Sequence, residues 1–255
     1  MNPNTKKPSP CLIVTGASRG IGAAIARLAA NSGYAVAVNY STGEKEAESI
    51  VGEILNNGGH AFAVRADVSD ESQIVSMFET AERELGPITA LVNNAGITGG
   101  FARVEDVTAE AINKTFAVNV TGSILCAREA VRRMSTRRAG NGGAIVNVSS
   151  RAVQTGSAGE WVHYAASKGA IETFTIGLAR EVATEGIRVN AVAPGLTDTD
   201  LHATNGEPGR LQRLMPTIPM SRAGKPEEIA EAVLWLLSPA ASYVTGAILA
   251  VGGGR

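Results

Sequence analysis

Tyr164 and Lys168 stand four residues apart in the run His163-Tyr164-Ala165-Ala166-Ser167-Lys168-Gly169-Ala170, and Ser149 and Ser150 lie shortly upstream. On a helix over residues 164–182, positions four apart share a face, so the phenol and the ammonium point into the same space. A free tyrosine is a poor acid at neutral pH, with a pKa of about 10, and a nearby cation favours the phenolate and lowers that value. The three residue types together supply an acid, a charge that tunes it and a hydroxyl that holds a carbonyl oxygen. This is a proton-transfer device. The same spacing also arises on surface helices with no function, so its surroundings decide what it means.

A second constellation lies near the start of the chain. The apolar run at 12–14 leads into Thr15-Gly16-Ala17-Ser18-Arg19-Gly20-Ile21-Gly22, which is followed by the helix-like run 23–30. Glycines at such a turn allow tight backbone geometry and close approach of a pyrophosphate, and the helix N-terminus offers its amides to the anion. A strand before the turn and a helix after it are the context that nucleotide binding requires. The glycine spacing, three residues and then one, departs from the commoner dinucleotide fingerprint.

These groups need a scaffold, and the sequence patterning supplies one. Short apolar runs at 12–14, 35–39, 61–64, 90–92, 144–148, 188–192 and 247–251 alternate with segments of helical period. Such alternation predicts an α/β fold, a doubly wound, seven-stranded parallel sheet with helices on both faces. Ala47, Ile50, Val51, Ile54 and Leu55 form one core-facing helical stripe, and Ile74, Met77, Phe78, Ala81 and Leu85 form another. Asp70 is placed to cap the helix after it, and Pro226 with Glu227 and Glu228 suits the opening turn of the last long helix. Between Pro194 and Pro226, five prolines and four glycines break the rhythm, which predicts a lid at about 196–225 beyond the carboxyl end of a strand.

Composition narrows the class. The 255 residues are 44% hydrophobic and 18% charged with a mean hydropathy of +0.06, which predicts one globular domain over 11–255 after a flexible N-terminus at 1–10. A net charge of -1 gives no footprint for nucleic acid or an anionic membrane, and the local cluster of Arg132, Arg133, Arg137 and Arg138 reads as the solvated end of a helix. Cys11 and Cys126 lie in apolar patterns and read as reduced core residues, and no leader or membrane span is evident, so the expected location is cytoplasmic. His60, His163 and His202 lack ligand spacing, and no metal site is expected.

With these motifs in order, the chain resembles the short-chain dehydrogenase/reductases from about residue 11 onward, and within that family oxoacyl-carrier-protein reductases and glucose dehydrogenases. The glycine turn is similar to that family's Thr-Gly-x-x-x-Gly-x-Gly. Asp67 and Val68, Asn93-Asn94-Ala95-Gly96, Asn119, and Pro194-Gly195 with Thr197 and Thr199 follow at matching places. The resemblance implies a single-domain Rossmann fold in which Gly16, Ser18, Arg19, Gly20, Ile21 and Gly22 receive the diphosphate. It also implies that Asp67 and Val68 contact adenine, that Asn94, Ala95 and Gly96 line the cofactor, and that Thr197 and Thr199 hold the nicotinamide amide and the diphosphate. Tyr164 would then pass a proton to or from the substrate oxygen, Lys168 would tune it and hold the nicotinamide ribose, Ser150 would hold the substrate oxygen, and Asn119 would hold a water linking Lys168 to solvent. The cofactor itself would carry the hydride.

Two departures stand out. Fourteen positions separate Ser150 from Tyr164, one more than the family's usual gap, so a strict count lands on Arg151; the extra residue is assigned to the loop 154–161, with Ser149 as a second candidate for the hydroxyl. The closing segment reads Val251-Gly252-Gly253-Gly254, where the family often carries an acid. After the second run the chain has Asn39, Tyr40 and Ser41, with no acid before Glu44 to bond the adenosine ribose, and Arg19 stands in the glycine loop. This predicts NADP(H) over NAD(H).

Expected substrate contacts are Arg151, Trp161 and His163, residues 98–103, and the lid at 200–215, around a small carbonyl or alcohol. A nucleotide-sensing protein without turnover, or an epimerase or dehydratase, are the rival readings. Helices over 109–137 and 164–183 would, by resemblance, pair with their copies in a dimer or tetramer.

Overall fold

The computed structural model describes residues 9–199 and 209–255; residues 1–8 of the expected N-terminal tail and 200–208 of the expected lid, His202 included, lie outside them. Seven strands, β1 (Cys11–Val14), β2 (Ala35–Tyr40), β3 (His60–Arg65), β4 (Ile88–Asn93), β5 (Gly143–Val148), β6 (Ile187–Pro194) and β7 (Ile248–Val251), form one sheet in the order β3-β2-β1-β4-β5-β6-β7. Every neighbouring pair is parallel. Strand limits differ from the sequence-based ones by at most two residues. The order reverses between β1 and β4, which opens a crevice beyond their carboxyl ends where such sheets bind ligands.

Side chains alternate across each strand, so β1 sends Leu12 and Val14 to one face and Cys11 and Ile13 to the other. Helices α1 (Gly20–Asn31), α2 (Glu44–Asn56) and a C-terminal helix, Pro226–Leu237, cover the first face. On the second lie α3 (Glu71–Leu85), α5 (Ser123–Met134) and α7 (Val162–Val182). Shorter helices are α4 (Ala109–Phe116), α6 (Ala152–Thr155) and α8 (Arg210–Leu214), which makes the C-terminal one α9. Asp70 caps α3 through Ser72 N at 2.9 Å and Gln73 N at 3.2 Å, and Glu228 closes the start of α9 by accepting from Lys225 N at 2.8 Å. Both cysteines are buried free thiols. No helix among the described residues is long and apolar enough to cross a membrane.

Three expectations need correction. Leu55 is 51% exposed, because it stands about 100° round the helix from Ile54, which carries the buried stripe. The single helix expected over 109–137 is α4, a π-helical turn at Ala117–Gly122 and α5; it stops at Met134, where the extended backbone of Ser135 (ψ 125) breaks it. The arginine cluster is not simply solvated. Arg133 packs 5.3 Å over the Phe78 ring and pairs with the buried Glu129 at 2.7 Å, Arg132 meets the same carboxylate at 2.7 Å, and Arg137 pairs with Glu185 at 3.1 Å. A buried carboxylate needs such partners.

Gly22 marks the tightest packing between α1 and the crevice. A Cβ there would run into the Gly16 carbonyl and the Asn94 amide and lie 2.9 Å from Ala17 Cα. Gly52, inside α2, has open space around it. In urea unfolding, Gly22→Ala is expected to lose about 2 kcal/mol by overpacking, whereas Gly52→Ala gains about 0.5–1 kcal/mol from helix propensity.

Candidate active site

The glycine turn is held from two sides by amides. Asn94 donates to the carbonyls of Thr15 and Gly16, each at 2.9 Å, while Thr15 Oγ1 accepts from the backbone of Asn94 and Ala95, each at 3.0 Å. From β2, Asn39 Oδ1 accepts from Gly16 N at 3.1 Å and its Nδ2 donates to Val64 and Ala66 carbonyls at 3.3 and 3.1 Å. Asn39 is therefore buried and turned inward, where it shapes the turn. Gly16 is left-handed (φ 62), a conformation that favours glycine.

On the rim, Ser18, Arg19 and Gly20 line a groove of about 370 Å³ together with Arg27, Lys45, Glu46 and Ser49 of α1 and α2. Arg27 is engaged by Glu53 at 2.6 Å. Tyr40 points its hydroxyl at Glu44 (3.0 Å), Ser41 is exposed, Asp67 accepts from the Ser69 hydroxyl at 2.7 Å, and Val68 is buried. Across the cleft, Thr199 stands close to Gly20, 3.5 Å from where a Cβ would sit, and Thr197 is fixed by bridging Gly224. Gly195, after Pro194, packs against Gly252 so closely that a Cβ would lie 2.6 Å from the Gly252 Cα.

Four consecutive residues leaving β5 engage α7. Asn147 donates to Thr175 Oγ1 (2.9 Å), the Val148 carbonyl accepts from Lys168 Nζ (2.7 Å), Ser149 donates to Glu172 (2.8 Å), and Ser150 lies beside the phenol of Tyr164, where its hydroxyl acts to lower the phenol's pKa. Ser149 thus meets α7 two turns beyond the tyrosine, at Glu172, while Ser150 faces the tyrosine itself, and Ser150 Oγ accepts from Ala152 N at 3.1 Å. Residues 164, 168 and 172 share one face at helical spacing, so Glu172 was available to sequence reasoning as one further step of four. The loop between α6 and α7 turns through Gly156 (φ 68), Ser157 (φ 47) and Gly159 (φ 72), all left-handed.

Lys168 is 5% exposed, and burial lowers its pKa from the ordinary 10.5 to about 8. Its ammonium lies 5.8 Å from the Tyr164 ring centroid. The phenol differs from the simple expectation: burial raises its pKa, and the groups that pull it back are the Ser150 hydroxyl and the Arg210 charge. Asn119 sits in the π-helical turn, a deviation common at functional sites. It donates to Ile97 O and Ser167 Oγ, each at 2.9 Å, and accepts from Ile97 N at 2.8 Å. A Cβ on Gly96 would lie 3.3 Å from Asn119 Oδ1 and 3.4 Å from Lys168 Nζ, which brings these groups to the same wall of the cleft.

Of the expected substrate contacts, Trp161 forms a wall between Phe101 and Tyr164, edge-on to both at 6.1 and 6.2 Å. His163 is buried and faces Gly99 and Thr115, and Arg151 donates to the Arg255 carbonyl at 2.6 Å. Arg210 and Glu160, which the sequence did not single out, pair at 2.7 Å beside Trp161. They stand fifty positions apart, and no local pattern links them.

The family model described as enoyl-(acyl carrier protein) reductase matches residues 16–255. The uncharacterized oxidoreductase YgfF of Escherichia coli is 54% identical over 95% of this chain and 98% of its own length. Glucose 1-dehydrogenase 2 of Bacillus subtilis is 40% identical over 95% of this chain and 93% of its own. Among solved structures, a blue fluorescent protein from a metagenomic library, in complex with NADPH, superposes with a TM-score of 0.88 at 36% identity, covering 96% of this chain and 97% of that one. With its sheet order, its glycine turn and its tyrosine and lysine on one helix face, the chain belongs to the short-chain dehydrogenase/reductase family of oxidoreductases.

Proposed function

We propose that the chain transfers a hydride between NADP(H) and a carbonyl or secondary alcohol, with Tyr164 as general acid in reduction and general base in oxidation. The observation that carries this reading is the placement of Ser150 against the Tyr164 phenol, with Lys168 on the same helix face. Ser150 holds the substrate oxygen and leaves it in reach of the phenol proton. Lys168, fixed by the Val148 carbonyl, holds the nicotinamide ribose and supplies positive charge. Asn119 orders the water path behind it. The nicotinamide supplies the hydride when bound; the chain's own groups orient both partners, exclude water and move the proton. The described flanks of the expected lid, 196–199 and 209–225 with α8 among them, border the substrate site.

The reading of the cofactor as NADP(H) is supported by the end of β2, where Asn39 is turned inward and no carboxylate replaces it, and by the groove that Ser18, Arg19, Lys45 and Ser49 line. A phosphate ester suits that groove, since guanidinium and ammonium groups bind it with charge-assisted hydrogen bonds. A neighbour in complex with NADPH is consistent with it. Ile124 on α5 and Ile176 on α7 are 37% and 38% exposed, apolar side chains that suit a paired-helix interface in a dimer or tetramer.

A panel of carbonyl and alcohol substrates with both cofactors tests this reading. Catalytic efficiency with NADPH is expected to exceed that with NADH by about tenfold or more, and Arg19→Ala to remove roughly a factor of ten of that preference. A preference for NADH would overturn it. Tyr164→Phe is expected to lower kcat by about 10²–10⁴ while fluorescence titration shows NADPH binding unchanged; undiminished turnover excludes Tyr164 as the acid.

Lys168 gives a separate prediction. Its pKa is depressed on folding, so below about 8 the folded state carries the full cost of the buried charge, roughly 3 kcal/mol. Between about 8 and 10.5 the unfolded chain binds more protons, and stability from this group rises with pH. Lys168→Met is therefore expected to melt above the parent near neutral pH and to lose that advantage as the pH approaches about 10, although its turnover is abolished. Thermal unfolding across pH measures this.

A further inference from the structure

Arg210 is 6% exposed, which is unusual for an arginine on a five-residue helix. Its Nε and Nη2 both donate to Glu160 Oε2, at 3.1 and 2.7 Å, while Arg213 takes Glu160 Oε1 at 2.9 Å. The Arg210 Cζ lies 4.2 Å over the ring of Trp161, and that ring meets Tyr164 edge-on at 6.2 Å. Carboxylate, guanidinium, indole and phenol therefore form one packed column. Burying a guanidinium costs several kcal/mol unless it is paired, and here both the carboxylate and the indole face offset that cost.

We propose that Arg210 is a positioning residue of the proton-transfer site: it seats Trp161 against Tyr164 and fixes a guanidinium on the indole that meets the phenol. The inference rests on the reading of Tyr164 as the acid and base. A planar, permanently charged group suits the task, because it lies flat on an indole while its rigid fork donates to a carboxylate, a geometry that the compact ammonium of lysine does not offer. The charge opposes the effect of burial on the phenol, in the same direction as the Ser150 hydroxyl.

The other groups around Tyr164 leave this role to Arg210. From α7, Lys168 is committed to the Val148 carbonyl, and His163 faces Gly99 and Thr115. From the β5–α6 connection, Ser150 meets the phenol and Arg151 is held by the Arg255 carbonyl. From the loop before α7, Glu160 is engaged by Arg210 and Arg213 of α8. At the end of the chain, the carbonyl of Arg255 is taken by Arg151, and burial lowers the pKa of its guanidinium, with the charge of Arg210 acting in the same direction.

Ultraviolet difference titration of the phenol tests the proposal, each protein being read against its own Tyr164→Phe version, alone and with NADP. Arg210→Gln is expected to move the midpoint up by about one pH unit, the lower end for loss of an adjacent charge. Arg210→Lys keeps the charge and is expected to move it less than half as far, while the emission of Trp161 in a Trp235→Phe background changes because the stack is lost. An unmoved midpoint in Arg210→Gln, with Tyr164→Phe inactive, overturns the inference and leaves the reading of Tyr164 intact. If Arg210→Gln does not fold, the lysine variant decides: midpoint and emission identical to the parent overturn the proposal. Turnover by Tyr164→Phe removes the proton-transfer site and this inference with it.

Discussion

The position of α7 against the end of β5 is the constraint on which the site depends. A buried ammonium must find an acceptor, and the Val148 carbonyl, at the last residue of the strand, provides one for Lys168. Asn147 to Thr175 and Ser149 to Glu172 repeat the link on either side, so the helix cannot slide along the strand without breaking several buried polar contacts. Only with that register fixed does the next residue, Ser150, meet Tyr164. The geometry of the proposed site is here a by-product of satisfying polar groups at the carboxyl end of a parallel sheet.

The same logic governs the cofactor side. Amides do the work that side chains of the cleft cannot: Asn39 and Asn94 tie the glycine turn to β2 and to the end of β4. Further in, Asn93 donates to Asn147 across β4 and β5 at 3.0 Å. A row of buried amides thus runs through the carboxyl end of the sheet, and it leaves the backbone of the turn free to face a ligand.

Much of the fold was legible in the sequence. The seven apolar runs map onto seven strands, because β-strands buried on both faces read as continuous apolar segments. The helix stripes were readable too, except where a rotation of one residue carried Leu55 into solvent. Tyr164 and Lys168 were found because four-residue spacing is local information. What escaped is non-local. The inward turn of Asn39 depends on carbonyls of the connection after β3, and the pairing of Arg210 with Glu160 depends on two loops that meet only in three dimensions. Which residue of α7 Ser149 and Ser150 each meet is likewise set by the packing of the helix on the strand and by no local pattern.

The loop after α6 carries a consequence for how this scaffold changes. Its left-handed residues, Gly156, Ser157 and Gly159, let the chain coil on itself between a strand end and a helix start that are independently pinned. Length in that loop is therefore decoupled from the chemistry. A change of length there would reshape the aromatic wall at Trp161 and leave Ser150 and Tyr164 on their separate anchors. The number of residues between Ser150 and Tyr164 is then no measure of the distance between them in space.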